Sequence, residues 1–283
     1  MNQYLQSILK EYSTVEILHV CKAINRDYNI FDPEDVRWAK LAYALNKTKR
    51  EDLEILRSSC LSNDVVNALI FNFYYCERVI KYHFIKHLKN RMDHIVAFEM
   101  AIGDSRVDIC RINGNSYAYE IKTEYDTFDR LETQMRDYIK TFEKVYVIVP
   151  RARVADVKKH IPGSCGVISY RIDENKEVVF SYVKKATKNS CDANLCINSL
   201  SSNDMSYLLK LLKEKDCRAR DEKLSSLLQL ADSKSFWKQY RQLLRHKYEA
   251  QWTFITRHFD EIRPVDIQSF FSSNMDPQLL YTK

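Results

Sequence analysis

Residues 105–122 read SRVDICRINGNSYAYEIK, two β-prone runs on either side of Asn113-Gly114-Asn115. Both runs are rich in β-branched and aromatic residues, and the central triplet tolerates positive φ, so the stretch predicts a β-hairpin. A three-residue loop centred on Gly114, or a bulge, sets Asp108 directly across from Glu120. A two-residue turn would instead move the two acids off one face. We expect the longer loop or the bulge.

The hairpin also predicts a cluster of charged side chains. Glu120 and Lys122 project to one face because alternate residues of a strand share a face. Two facing carboxylates repel each other unless a positive charge lies between them. Oxygen ligation by Asp108, Glu120 and a backbone carbonyl, that of Ile121, suits Mg²⁺, with Mn²⁺ as a substitute. These groups suit phosphodiester hydrolysis. In that reaction Lys122 would orient or help deprotonate the attacking water and stabilise the negative charge that builds on phosphorus. The alternative is a solvated salt-bridge ladder on an exposed sheet face.

Three motifs resemble those of the PD-(D/E)xK, or restriction-endonuclease-like, nuclease superfamily. They are Gly103-Asp-Ser-Arg-Val-Asp108, Glu120-Ile-Lys122 and Gln134-Met-Arg-Asp-Tyr138. The last is similar to the QxxxY signature of RecB-type nucleases. The resemblance covers roughly residues 70–150, and Val107 stands where the superfamily name has proline.

The resemblance implies roles for individual residues. Asp108 and Glu120 would bind the metal, and Lys122 would be the catalytic lysine. Gln134 and Tyr138 would support the site or the DNA backbone, although a polar and an aromatic residue four apart are also an ordinary helix surface.

Further residues are candidates for completing the site. A glutamate ahead of the first core strand often does so in this superfamily, and Glu77 is the first candidate here, with Glu99 second. Ser105 and Arg106 are candidates for phosphate contact, although such residues also simply end turns. The stretch from Gly103 to Pro150 further resembles uncharacterised restriction-like proteins of bacterial mobile elements and defence loci.

The flanking pattern predicts an α/β fold, a restriction-endonuclease-like mixed β-sheet core flanked by helices, with helical N- and C-terminal extensions. We expect a helical N-terminal region over 1–65, the nuclease-like core over 66–184, and a linker with a helical C-terminal region over 185–283. The apolar run 145–149 predicts a buried strand with parallel neighbours. Other predicted elements are strands at 94–102, 166–170 and 177–182, helices at 64–88 and 126–142, a short helix at 153–160, and a linker or loop at 184–204.

The segment from Trp237 to Tyr248 interleaves basic and aromatic residues. Such a helix can grip nucleic acid through phosphates and base stacking. It can equally be an amphipathic bundle helix with a buried aromatic face and a solvated basic face. The sequence leaves both alternatives open.

Composition sets the remaining expectations. The net charge of +6 favours polyanionic partners. The eight cysteines form no CxxC pair, and neither a signal peptide nor a long apolar span is visible, so we expect a cytoplasmic protein without a membrane partner. The sequence has no Gly-rich phosphate loop, so we expect no nucleotide cofactor. Because many restriction-like enzymes dimerise to cut both strands, a homodimer is a candidate assembly.

These observations favour a Mg²⁺-dependent deoxyribonuclease, a phosphodiester hydrolase of bacterial or phage origin. It would bind DNA and act in phage defence, restriction or mobile-element biology, as an endo- or exonuclease. Two alternatives stay open. One is a catalytically silent nucleic-acid-binding or scaffold protein with a restriction-like core, and the other is an RNase.

Overall fold

The computed structural model describes residues 1–89, 94–102, 105–233, 235–273 and 275–281. Gly103 and Asp104, which open the first motif, lie outside the described residues. The chain divides into a helical unit of residues 1–86 and 254–283 and a sheet unit of residues 87–253. These units differ from the three predicted regions because the last thirty residues group with the N-terminal helices, a long-range association that periodicity does not reveal.

The helices are numbered in chain order. They are α1 Gln3–Leu9, α2 Thr14–Asp27, α3 Glu34–Ala44, α4 Arg50–Ser59, α5 Ser62–Phe73, α6 Glu77–Lys89, α7 Leu131–Thr141, α8 Val154–Val157, α9 Ala193–Asn198, α10 Ser202–Leu212, α11 Arg220–Leu230, α12 Phe236–Arg257, α13 Ile267–Ser273 and α14 Pro277–Leu280. Short 3₁₀ helices cover Arg151–Arg153 and Pro264–Asp266. Within the described ranges, no helix has the length and apolar character that crossing a bilayer requires.

Among its described residues, the sheet unit has six strands whose order in space follows the chain. They are β1 Ile95–Ile102, β2 Ser105–Asn113, β3 Asn115–Ile121, β4 Lys144–Pro150, β5 Gly166–Ile172 and β6 Val178–Lys184. β4 pairs in parallel with β3 and β5, while the outer pairings are antiparallel. The fold is therefore a mixed α/β fold with a mixed sheet flanked by helices, and the predicted parallel pairing of β4 is confirmed.

The register of the hairpin formed by β2 and β3 is the predicted one. Asn113 pairs with Asn115 around Gly114, whose φ is +64°, and Ile109 pairs with Tyr119. The next position in this register sets Asp108 opposite Glu120. Glycine suits the loop because a residue with a Cβ is strained at positive φ.

One face of the sheet, here called the acidic face, carries Asp108 and Glu120 and packs against α7. Leu131, Met135 and Tyr138 of α7 are completely buried. The opposite face carries a row of stacked tyrosines, with ring centroids 6.3 Å apart for Tyr117 and Tyr119. Apolar cover on both faces explains why β4 is an unbroken hydrophobic run.

Three predicted helices differ from the observed ones, and the short helix expected at 153–160 covers only Val154–Val157. The helix expected from 126 begins at Leu131, because the Asp126 carboxylate accepts hydrogen bonds from the amide and hydroxyl of Thr123, each at 2.7 Å, and so closes a turn. The helix expected over 64–88 is two helices. It breaks at Tyr74, which is extended, and restarts where the Cys76 carbonyl accepts the amides of Val79 and Ile80.

The prediction of a linker or loop at 184–204 holds for the irregular residues 185–192, but the segment does not separate two regions, because it packs within the sheet unit. The Asn189 and Asp192 amides donate to the carbonyls of Glu143 and Lys140 at 2.8 and 2.7 Å. Cys196 of α9 is completely buried. With only six residues, α9 is too short to give a readable helical period.

α12 shows the amphipathic pattern of a bundle helix. Tyr240 and Leu244 are buried, Arg241 Nη1 lies 3.1 Å from both carboxylate oxygens of the buried Glu143, and Lys247 pairs with Asp204 at 2.7 Å. Its aromatic residues thus serve packing, and these basic residues serve internal ion pairs. The structure favours the bundle-helix alternative over the nucleic-acid alternative for this segment.

Asp266 of the helical unit is a completely buried carboxylate, and it accepts a hydrogen bond from the Tyr281 hydroxyl at 2.9 Å. Burial raises the pKa of Asp266 from 3.8 to about 6, although hydrogen bonds from Tyr28 and Tyr281 oppose the rise. The folded protein therefore holds the Asp266 proton to a higher pH than the unfolded chain does.

We predict that this proton makes stability fall as pH rises from about 4 to about 6. In that window the unfolded chain has released a proton that the folded chain still binds, and two pKa units correspond to about 3 kcal/mol. Relative to wild type, Asp266→Asn should gain about this much stability between pH 4 and pH 7 in urea unfolding. Glu11→Gln, at an exposed site, is the control. A difference between Asp266→Asn and wild type that stays constant over this range would contradict the assignment.

Candidate active site

Three carboxylates, those of Glu99, Asp108 and Glu120, stand in register on the neighbouring strands β1, β2 and β3 of the acidic face. Phe98 pairs with Ile109 and Met100 with Val107, so Glu99 of β1 is the residue opposite Asp108. Oxygens of the Glu99 and Asp108 carboxylates lie within 4.8 Å of each other. Glu99 has a φ of +52°. Backbone strain of this kind in a non-glycine residue is concentrated at functional sites.

Glu120 is held by two partners. Its Oε1 lies 2.7 Å from Lys122 Nζ, and its Oε2 lies 3.0 Å from the Tyr138 hydroxyl. That hydroxyl also lies 2.7 Å from the Arg106 carbonyl oxygen, so its single proton serves one of the two acceptors. The carboxylate is thus fixed in position before any ligand arrives.

Both acids of the hairpin are buried. Glu120 is 2 % exposed and Asp108 is 8 % exposed, and the Ile121 amide donates to Asp108 Oδ2 at 2.7 Å. Solvent reaches the cluster at the Glu99 and Lys122 side chains, which are 21 % and 14 % exposed. A solvated salt-bridge ladder does not fit these burial values.

Lys122 is held in its charged form. Burial by itself would lower the pKa of Lys122, but the charges of Glu120 and Asp108 outweigh it and raise the pKa above the ordinary value. The ammonium is therefore suited to orienting groups and stabilising negative charge, and not to removing a proton.

Gln134 and Tyr138 lie on successive turns of α7. Tyr138 is completely buried, and burial together with the Glu120 charge raises its pKa well above the ordinary value. An ordinary helix surface does not fit this tyrosine. Gln134 Oε1 is a buried acceptor that has no hydrogen-bond partner among the residues the structure describes. Such acceptors are uncommon in folded proteins.

The two candidates for phosphate contact have different environments. The Ser105 hydroxyl donates to Asp137 of α7 at 2.7 Å, so it joins the hairpin to the helix. Arg106 is 68 % exposed and pairs with Glu99 at 2.7 Å, so it lies at the rim of the site. Asp137 has a structural role that the sequence reading missed, although it stands within the third motif.

Glu77 and Ile121 were the other predicted ligands. Glu77 is the first residue of α6 in the helical unit, and its carboxylate lies 2.6 Å from Lys81 Nζ. The amide of Ile121 donates a hydrogen bond to Asp108 Oδ2. Ligation of a metal by the Glu77 carboxylate or by the Ile121 carbonyl stays a prediction.

The six-stranded mixed sheet with its buried acids and paired lysine defines a mixed α/β protein with an acidic candidate site. The family model of bacteriophage P4 protein cII matches residues 72–270. That is more than half of the chain, and the chain therefore belongs to the bacteriophage P4 protein cII family.

Two individual proteins show partial similarity. Protein cII of Enterobacteria phage P4 is 28 % identical over 95 residues, which are 33 % of this chain and 36 % of that protein. The match therefore spans about a third of that relative's length. A protein of unknown function from Silicibacter pomeroyi has a solved structure that is 15 % identical with a TM-score of 0.31, covering 48 % of this chain and 87 % of that one.

Proposed function

We propose that this protein is a metal-dependent nuclease with a restriction-endonuclease-like core, which hydrolyses phosphodiester bonds of DNA. The observation that carries the proposal is the convergence of Glu99, Asp108, Glu120 and Lys122 on one sheet face. The family takes its name from a protein of bacteriophage P4, which supports a role in the biology of phages and mobile elements, including defence.

The donor set suits Mg²⁺. Carboxylate oxygens are its preferred protein ligands, and two oxygens on one Mg²⁺ at about 2.1 Å are at most about 4.2 Å apart. The Glu99 and Asp108 oxygens, within 4.8 Å of each other, need little or no adjustment to reach that separation. Crowding carboxylates in a buried place is unfavourable unless positive charge compensates them, and a divalent cation would supply that charge.

Each residue of the cluster has a distinct task in this proposal. Glu99 and Asp108, with Glu120 beside them, would hold the ion, which when bound would polarise the phosphate and activate water. The Ile121 amide keeps Asp108 oriented, and Tyr138 does the same for Glu120. The Lys122 ammonium would stabilise the negative charge that develops on the phosphate oxygens.

A cleavage assay tests the proposal directly. Purified protein with millimolar Mg²⁺ would be incubated with linear duplex, circular duplex and single-stranded DNA and with RNA. We expect cleavage of at least one DNA substrate, and EDTA should abolish it. Cleavage of RNA alone would replace the proposal with the RNase alternative, and folded protein that cuts none of the four would reject nuclease activity.

A second candidate function is nucleic-acid binding without cleavage. The observation that favours it is that both oxygens of Glu120 already have partners, Lys122 and Tyr138. A carboxylate so engaged can serve as a structural ion pair. This candidate predicts DNA binding without a metal requirement and without strand scission.

We also predict that Mg²⁺ stabilises the wild-type protein but not Asp108→Asn. A ligand at one hundred times its dissociation constant stabilises the folded state by about 2.7 kcal/mol. For a protein of this size that is a rise in Tm of roughly 5 to 10 °C. Differential scanning fluorimetry with and without Mg²⁺ measures it.

The matched control is Asp156→Asn, which removes a half-exposed carboxylate of α8 in the same unit. Its Tm should respond to Mg²⁺ as the wild-type Tm does. An equal Mg²⁺ response in Asp108→Asn would show that the ion stabilises the protein elsewhere.

A further inference from the structure

A groove of about 310 Å³ lies on β5 and β6, lined by Arg151, Ser169, Arg171, Val179, Ser181 and Val183. Ser169 and Arg171 of β5, with Ser181 and Val179 paired to them on β6, share the acidic face, whereas Tyr170, which also lines the groove, alternates to the other face. Glu120 pairs with Val147 on β4, and Val147 pairs with Val167 on β5. Arg171 lies four residues after Val167 on the same strand, so its side chain projects to the same face. The groove and the candidate active site therefore open on the same side of the sheet.

Arg151 and Arg171 give this groove two guanidinium groups. Both side chains are exposed, and neither has an ion-pair partner within the described part of the chain. Arg151 directly follows β4 and Arg171 lies near the end of β5, at the same sheet edge as Lys122 after β3. Guanidinium groups are suited to phosphates because their planar donors bind two oxygens at once.

The distribution of charge points to the same partner. Residues 144–188 contain ten Lys and Arg and four Asp and Glu, a net charge of +6, which equals the charge of the whole chain. The other residues contain 34 basic and 34 acidic side chains and are neutral together. A positive segment next to the candidate site attracts and orients a polyanion.

The spacing suits a nucleic acid that occupies site and groove together. Ile168 of β5 lies two strands away from Ile121 of β3, at about 4.8 Å per strand, and Arg171 lies three residues further along β5, at about 3.3 Å per residue. The Cα atoms of Ile121 and Arg171 are therefore roughly 14 Å apart. That distance corresponds to about four base steps of B-form DNA at 3.4 Å each.

We propose that this groove is part of the substrate track: DNA leaves the candidate site along the carboxyl ends of β4 and β5 toward β6, and Arg151 and Arg171 each bind one of its phosphates. The connection to cleavage rests on the proposed nuclease function, whereas binding in the groove does not need it. An acidic polypeptide is the other polyanion that such a surface could accept, and the experiment separates the two.

The test measures binding of a fluorescein-labelled 20-base-pair duplex by fluorescence anisotropy, in EDTA and over a series of NaCl concentrations. Each phosphate contact contributes about 0.9 to the slope of log K against log salt concentration. For Arg151→Gln/Arg171→Gln we expect the slope to be smaller by about 1.8 and binding at 0.1 M salt to be about 60-fold weaker.

The matched control is Lys215→Gln/Arg218→Gln, which removes two exposed charges between α10 and α11 in the same unit. Its slope should equal that of wild type. The groove proposal is overturned by an unchanged slope in the groove variant, by an equal decrease in the control, or by wild-type protein that binds polyglutamate but not DNA.

The outcomes also separate the groove from the nuclease. If wild type binds DNA with the expected slope change in the groove variant but never cuts, the groove proposal stands and the nuclease proposal fails. If wild type cuts DNA and the groove variant binds with an unchanged slope, the nuclease proposal stands and the groove proposal fails.

Discussion

Glu120→Gln is expected to remain folded and to lose DNA cleavage by at least about 10³-fold, or about 4 kcal/mol of transition-state stabilisation. Glutamine has the shape of glutamate, and its oxygen can still accept the hydrogen bond from Tyr138. It lacks the negative charge needed to hold a divalent cation and to pair with Lys122. The cleavage rate in Mg²⁺, together with the circular dichroism spectrum, measures activity and fold separately.

Glutamine is a better test here than alanine. At 2 % exposure, Glu120 is part of the packed interior, so alanine would leave a cavity that glutamine fills. We therefore expect Glu120→Ala to lose both activity and stability. The control is Glu132→Gln on the exposed side of α7. A folded Glu120→Gln protein that cuts DNA at the wild-type rate would remove Glu120 from the site.

The hairpin was predictable because local chemistry determines its register. Asn113-Gly114-Asn115 allows a turn with positive φ, and alternation then assigns every side chain of β2 and β3 to a face. The opposition of Asp108 and Glu120 follows from these two facts. The parallel strand β4 was predictable for a similar reason, since a run of apolar residues must be covered on both faces.

The burial of the acids was not predictable from the same pattern. Alternation says which side chains share a face, but it does not say which helix covers that face or how closely. Tyr138 reaches Glu120 only because α7 crosses back over the sheet between β3 and β4. Its hydroxyl lies between Arg106 and Glu120, which are 32 and 18 positions earlier in the chain.

The irregular features depend on single contacts that compete with a regular pattern. The Asp126 turn delays α7, and the extended Tyr74 separates α5 from α6, although hydrophobic periodicity continues through both places. Glu99 departs from ordinary strand geometry, and no residue type near it signals that departure. Arg151 and Arg171 are twenty positions apart in the chain, so only the parallel pairing of β4 with β5 brings them to one groove.

Lys122→Met is expected to lower the rate of DNA cleavage by about 10²- to 10³-fold, the usual effect of removing one group that stabilises developing charge. The same change leaves Glu120 as a buried carboxylate without its cation, which costs about 3 to 5 kcal/mol. The variant should therefore melt at a lower temperature than wild type in EDTA. Single-turnover cleavage and scanning fluorimetry measure the two effects.

The response of this variant to Mg²⁺ separates a catalytic cluster from a structural ion pair. If the acids hold a divalent cation, added Mg²⁺ replaces the lost ammonium, and Tm should rise more in Lys122→Met than in wild type. Lys122→Arg is the matched control, because it keeps the charge and should retain most of the stability in EDTA. A Lys122→Met protein whose Tm stays low at every Mg²⁺ concentration would mean that Lys122 and Glu120 form only an internal salt bridge. Such a result would show that Mg²⁺ cannot replace the lysine ammonium. The acidic face would then stabilise the fold without binding a metal.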